Sequence, residues 1–106
     1  MGMFDFLKPK DKSKELLSDL LVYNADLIQK QEGKSHAEAV YLAACTIIDD
    51  LRTRPNGQDG HRKLMELLES DYPQQFNDVI TYIGWSTGVL KFKPEYEAEM
   101  KARHAK

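Results

Sequence analysis

An all-α bundle is the fold class this 106-residue sequence predicts. Three observations carry the prediction. Large apolar residues recur every three to four positions through most of the chain, the period of a helix face. Ser35-His36-Ala37-Glu38 and Asp71-Tyr72-Pro73 read as places where helices begin. Outside residues 89–93, nothing alternates with the two-residue period of a strand. The expected architecture is a compact bundle of four main helices plus a short, weakly anchored C-terminal helix. Its parts are an N-terminal arm at 1–12, a bundle domain at 13–93 and a C-terminal helix or tail at 94–106.

The first helix is expected over residues 13–31, stopped by Gly33. Leu16, Leu17, Leu20, Leu21, Leu27 and Ile28, with Tyr23 and Asn24 between them, cover an arc of roughly 160° at 3.6 residues per turn. Asn24 lies near the middle of that arc. It reads first as a buried amide that fixes helix register, and second as an amide facing a ligand. Ahead of this helix, Phe4, Phe6 and Leu7 read as an anchoring arm that packs on the bundle.

The second helix starts at a capping box. Ser35 would accept from the Glu38 backbone N–H, and the Glu38 carboxylate would reach back. Ala37, Val40, Tyr41, Ala44, Ile47, Ile48 and Leu51 form its main face, and Ala39, Leu42 and Ala43 extend the apolar surface round it. Such a helix belongs in the centre, touched from several sides. Arg54-Pro55-Asn56-Gly57 ends it in a turn.

The third helix is expected over 60–70, with Asp59 as N-cap and His61, Leu64, Leu68 and Tyr72 along its inner side. The fourth runs over 73–88, with Pro73 in its first turn and Phe76, Val79, Ile80 and Ile83 inward. Tyr82 and Trp85 point the other way. Gly84 and Gly88 form a small-residue strip, or Gly88 is a C-cap. The last helix, from Pro94 to about Ala105, offers mainly Tyr96 and Met100 as apolar contacts. It has Glu97–Lys101 and Glu99–Arg103 as i,i+4 pairs, and reads as a solvated lid or tail.

Composition bounds function. Fifteen Lys and Arg stand against 17 Asp and Glu, and 42% of residues are hydrophobic. The net charge of −2 excludes a protein that holds nucleic acid by bulk positive charge. That charge is uneven: residues 15–75 hold 11 acids and 6 bases, while both ends are mildly basic. No apolar run is long enough for a membrane span or a secretory signal, and a cytoplasmic, bacterial-type protein is expected. One cysteine, Cys45, excludes an internal disulfide and a cysteine-built zinc site.

Catalytic motifs are missing. There is no H-E-x-x-H, no phosphate-binding glycine loop and no G-x-S-x-G elbow. No catalytic residue, metal ligand or cofactor is therefore assigned. His61 reads as a packing residue at the core edge, its chemical alternative being an acid–base group at a helix start. Cys45 reads as a small apolar core residue, having no cation nearby to favour thiolate. Membrane association is not expected either.

Three functional readings follow. The first is a protein-binding or regulatory module, an adaptor or inhibitor, whose partner is another protein or a second copy of the chain. Its expected interface is Tyr82, Trp85, Val89, Phe92 and Tyr96. The bland reading of the same residues folds Phe92, Tyr96 and Met100 back over Trp85. The second is a small-molecule-binding or catalytic bundle with an inter-helix pocket formed by Asn24, Cys45 and His61. The third is a helix-turn-helix-like DNA binder that would present Gln74, Gln75 and Asn77. It is opposed by Glu69, Asp71 and Asp78 and by the lack of any Lys or Arg between Lys63 and Lys91.

Overall fold

The computed structural model describes residues 12–104. Five helices follow one another: α1 Lys12–Glu32, α2 His36–Arg52, α3 Gly57–Asp71, α4 Pro73–Ser86 and α5 Pro94–Arg103. Among the described residues there is no strand. The expected bundle of four main helices and a short C-terminal helix is the architecture observed. The expected arm at Phe4, Phe6 and Leu7 lies outside the described residues.

Central placement of α2 follows from its composition. Alanines and one cysteine let neighbouring helices approach closely, while Val40, Tyr41, Ile47 and Ile48 fill the remaining volume. It packs on α1, α3 and α4. Leu21 and Ala25 of α1, Leu64 and Leu68 of α3, Val79 and Tyr82 of α4, and Met100 of α5 complete the core.

The α2 cap forms only half of the expected box. The Ser35 hydroxyl accepts from the Glu38 N–H at 3.2 Å. The Glu38 carboxylate instead receives Arg103 from the far end of the chain.

Two expected boundaries shift. Helix α3 begins at Gly57, three residues before the expected start, and Asn56 rather than Asp59 is its N-cap. Asp59 sits in the first turn and pairs with Arg62 and Lys63. A carboxylate there is favoured by the helix dipole as well as by a cap, so composition does not separate the two positions. Helix α4 ends at Ser86 instead of Gly88. Gly88 follows the cap with φ of +77°, a left-handed turn that glycine adopts without a Cβ clash. The chain then doubles back, and the Leu90 N–H donates to the Gly84 carbonyl at 3.0 Å. A Cβ at Gly84 would lie 2.4 Å from Leu90 Cδ1. The small strip on α4 thus accommodates its own chain. Residues 91–93 are irregular and form no extended ladder.

The expected core face of α1 is also displaced. Leu21 and Ala25 are fully buried, and they lie at one edge of the apolar arc. At the opposite edge, Leu16, Leu20 and Tyr23 are 68%, 44% and 63% exposed. Helices α2 and α3 cover one side of α1, and an arc of roughly 160° exceeds what that side can bury. Asn24 is half-buried and its amide donates to the Leu20 carbonyl of its own helix at 2.8 Å. It does not bridge two helices, so the register role is replaced by an intrahelical bond.

Candidate functional site

Helix α5 carries little apolar surface, yet its end is firmly placed. Met100 is buried, whereas Tyr96 is exposed. Arg103 donates from Nε and Nη2 to the two carboxylate oxygens of Glu38, each at 2.8 Å. Its guanidinium carbon lies 3.7 Å from the centroid of the Tyr41 ring. Such a fork-to-fork pair over an aromatic face uses the planarity of arginine and would not survive a change to lysine. Asp78 on α4 adds a third carboxylate oxygen at 3.3 Å. The expected Glu99–Arg103 pair is therefore replaced by contacts to α2 and α4. The expected Glu97–Lys101 pair is present at 3.9 Å.

His104 follows directly and sits among three rings. Its Nε2 is 2.7 Å from the Tyr41 hydroxyl. Ring centroids lie 4.5 Å from Tyr82, 5.4 Å from Tyr41 and 6.1 Å from Trp85, the last nearly parallel. The Tyr82 hydroxyl donates to Asp49 on α2. Asp49 also receives Arg52, which reaches Ser86 at the end of α4. Aromatic packing and charge pairing together tie the C-terminal half of α4 and the end of α5 to α2.

Alongside this cluster runs a cleft of about 450 Å³ between α1, α2 and the end of α5. Leu27, Ile28 and Leu42 supply its apolar surface, and Glu32 and Asp49 its carboxylates. Asn24 and Cys45 both line it, whereas His61 does not. His61 lines a separate depression at the turn between α2 and α3, near Arg52 and Arg54. The three residues of the expected pocket are thus divided, and His104 and Tyr82 stand at the cleft in place of His61.

Burial and ion pairing set the protonation of the groups at and around the cleft. Burial pushes the Cys45 thiol up to about 12, so it is protonated at neutral pH and is no nucleophile. Burial also raises Tyr41 and Tyr82, the latter further through its bond to Asp49. The Arg103 guanidinium holds Glu38 below the usual carboxylate range. Burial, with Arg103 adding to it, lowers His104, while Asp49 and Glu38 pull it weakly upward. His61 is lowered by burial and by Arg52. Among the described residues, no three His, Cys, Asp or Glu side chains are placed to hold a metal ion.

A pH prediction follows from the two histidines. A lowered folded pKa means that the unfolded chain binds the extra proton first. Their contribution to stability is thus complete above the ordinary histidine value of 6.5 and is lost as pH falls below it. The urea midpoint should be lower at pH 5.5 than at pH 7.5. His104→Asn and His61→Asn should each narrow that gap, and an unchanged gap in the double variant would contradict the assignment.

Of the expected interface, Val89 and Tyr96 are exposed, Trp85 and Phe92 are half-buried, and Tyr82 is buried. Trp85 is covered in part by His104; of the residues expected to fold back over it, Met100 is buried, Phe92 is half-buried and Tyr96 is exposed. Gln74 and Asn77 are exposed at the start of α4 and Gln75 is half-buried, with Asp71 and Asp78 close in sequence.

Among the described residues, the fold and the cleft define an all-α helical domain with an inter-helix cleft lined by aromatic and charged side chains and an exposed apolar stripe on its first helix. Among the described residues, no helix is long and apolar enough to cross a membrane. No protein-family model matches the chain, and neither a characterised protein nor a solved structure is significantly similar to it.

Proposed function

We propose that the protein is a protein-binding module whose outer α1 face receives an amphipathic helix of a partner. One observation carries the reading. Leu16, Leu20, Tyr23 and Leu27 follow one another at spacings of four, three and four, the seam of a coiled coil. The first three are largely exposed. Large apolar side chains gathered in one row on a surface mark a contact site far more often than scattered ones do.

Charge selects the partner. Asp19 and Asp26 flank the seam on one side. A partner helix with leucines on one stripe and lysines or arginines beside it is complementary. Its association would be fast and weakened by salt. An antiparallel pairing with a second copy would bring Asp19 and Asp26 against their own counterparts, which disfavours that arrangement of two copies.

A designed peptide tests this. A helical peptide with leucine at the seam positions and lysine beside them should bind in fluorescence anisotropy. A scrambled peptide of the same composition and a glutamate-flanked one should not. Leu20→Ser and Tyr23→Ser, both at exposed positions, should each weaken binding at least about tenfold, the loss of one good apolar contact. If neither variant affects binding, the reading fails. A dimer in light scattering that Tyr23→Ser dissolves would replace the foreign helix by a second copy of the chain.

A further inference from the structure

We propose that the cleft between α1, α2 and the end of α5 binds a cation carried on an alkyl chain, a primary ammonium or a guanidinium. The site adjoins the α1 seam, with which it shares Leu27, but its charged groups, Glu32 and Asp49, lie outside the seam. The volume of about 450 Å³ is that of a small-ligand pocket. Its surface is of two kinds. Leu27, Ile28 and Leu42 offer apolar contact to an alkyl arm, and Glu32 and Asp49 offer negative charge to its head.

The sign of the site follows from how its own cations are occupied. Arg103 lines the cleft, but its guanidinium is already held by Glu38 and Asp78. Arg52 approaches one Asp49 oxygen at 3.3 Å through one nitrogen and the Tyr82 hydroxyl donates to the other, which leaves further acceptor capacity on each oxygen. Glu32 lies in the last turn of α1, where the helix dipole is itself negative. An anion would therefore meet two carboxylates and a helix C-terminus, with the nearby positive charge already paired. A cation meets the same groups favourably, and the Tyr82 ring at the wall adds an aromatic surface.

Two sources share this chemistry: a free alkylamine, or a lysine or arginine side chain of a bound protein. The first probe is n-hexylammonium, followed by NMR shifts of the Asn24 and Gln31 side-chain amides and of the α2 backbone near Thr46. n-Hexanoate and 1-hexanol are matched controls. n-Hexylammonium should shift these signals saturably, hexanoate should not, and hexanol should do so only weakly. Glu32→Gln, at an exposed site, should weaken binding about three- to fivefold, the value of one partly solvated charge contact. Thr46→Trp, which fills the cleft from an exposed position on α2, should abolish it.

The source is read with the lysine-flanked peptide. If its affinity falls in Glu32→Gln and on replacing one lysine by norleucine, the cation is a partner's side chain. If its affinity ignores Glu32→Gln while n-hexylammonium responds, the cation is a free amine. The proposal is overturned if n-hexylammonium leaves these signals unmoved, if hexanoate or hexanol binds equally well, or if Thr46→Trp has no effect. Leu20→Ser should leave n-hexylammonium binding unchanged, so failure of the α1 reading and failure of this one are separable.

Discussion

Gly57→Ala should destabilise the bundle by about 3 kcal/mol or more, the upper range for forcing extra volume into a packed site. A Cβ at this position would lie 1.7 Å from the Leu51 carbonyl oxygen and 2.7 Å from its carbon. Both are backbone atoms of the last turn of α2, so no side chain can swing aside. Helix α3 would have to retreat from α2, and Leu64 and Leu68 would retreat with it. Gly60 supplies the control. A Cβ there would lie 3.1 Å from Leu51 Cδ2, the tip of a flexible side chain. Gly60→Ala also removes a glycine from a helix interior, which is worth roughly 0.5–1 kcal/mol. It should be neutral or mildly stabilising. Urea unfolding followed by circular dichroism compares the two variants. A Gly57→Ala protein within about 1 kcal/mol of the parent would show that the contact yields easily.

Arg103→Ala should cost about 2 kcal/mol and release the end of α5. The figure combines a part-exposed bidentate ion pair with a cation–aromatic contact, each about 1 kcal/mol. Helix α5 has ten residues and few apolar contacts, too short to persist without its anchors. His104 would leave the Tyr82 and Trp85 rings with it. Trp85 emission should therefore shift to the red, and α5 amides should exchange faster while α2 and α3 amides keep their order of protection. Arg103→Lys retains the charge and loses the fork, and should recover less than half of the stability. Glu38→Gln combined with Arg103→Ala should be far from additive, because the two side chains act as one contact. Full additivity would remove the pair as the anchor.

These two sites also show why some of the molecule was legible in the sequence and some was not. Helices α1 to α4 followed from periodicity and from punctuation by Gly33, Ser35 and Pro73, because burial of one helix face writes itself into local spacing. The start of α3 did not, because it depends on a backbone contact between Gly57 and Leu51. A glycine in a turn looks the same whether it is free or pressed against a carbonyl. Placing Asn24 and Cys45 at one cleft was within reach of helix geometry, since both lie on the faces that α1 and α2 turn toward each other. Glu38 and Arg103 stand 65 positions apart, and no local pattern couples them. Both had been assigned sequence-local roles, a capping box and an i,i+4 pair, and a stronger distant partner displaced each. A hint was present in Arg103-His104 near the end of a polar helix, where an arginine and a histidine have little local reason to be adjacent. The exposed seam of α1 was hidden for the opposite reason. Its leucines looked like core, and only the width of the arc signalled an excess.

Cys45 is the chain's single sulfhydryl, and it lies buried in the centre of α2 with its thiol protonated. It lies at the wall of the cleft with 3% of its surface exposed, so a thiol reagent gains full access to it when the helices part. Its labelling rate, divided by that of the unfolded chain, therefore measures how often the bundle breathes. Arg103→Ala should raise that rate if the end of α5 guards the thiol, and leave it unchanged if α1 does. The protein thus carries an internal clock for its own opening, readable without any added probe in the fold.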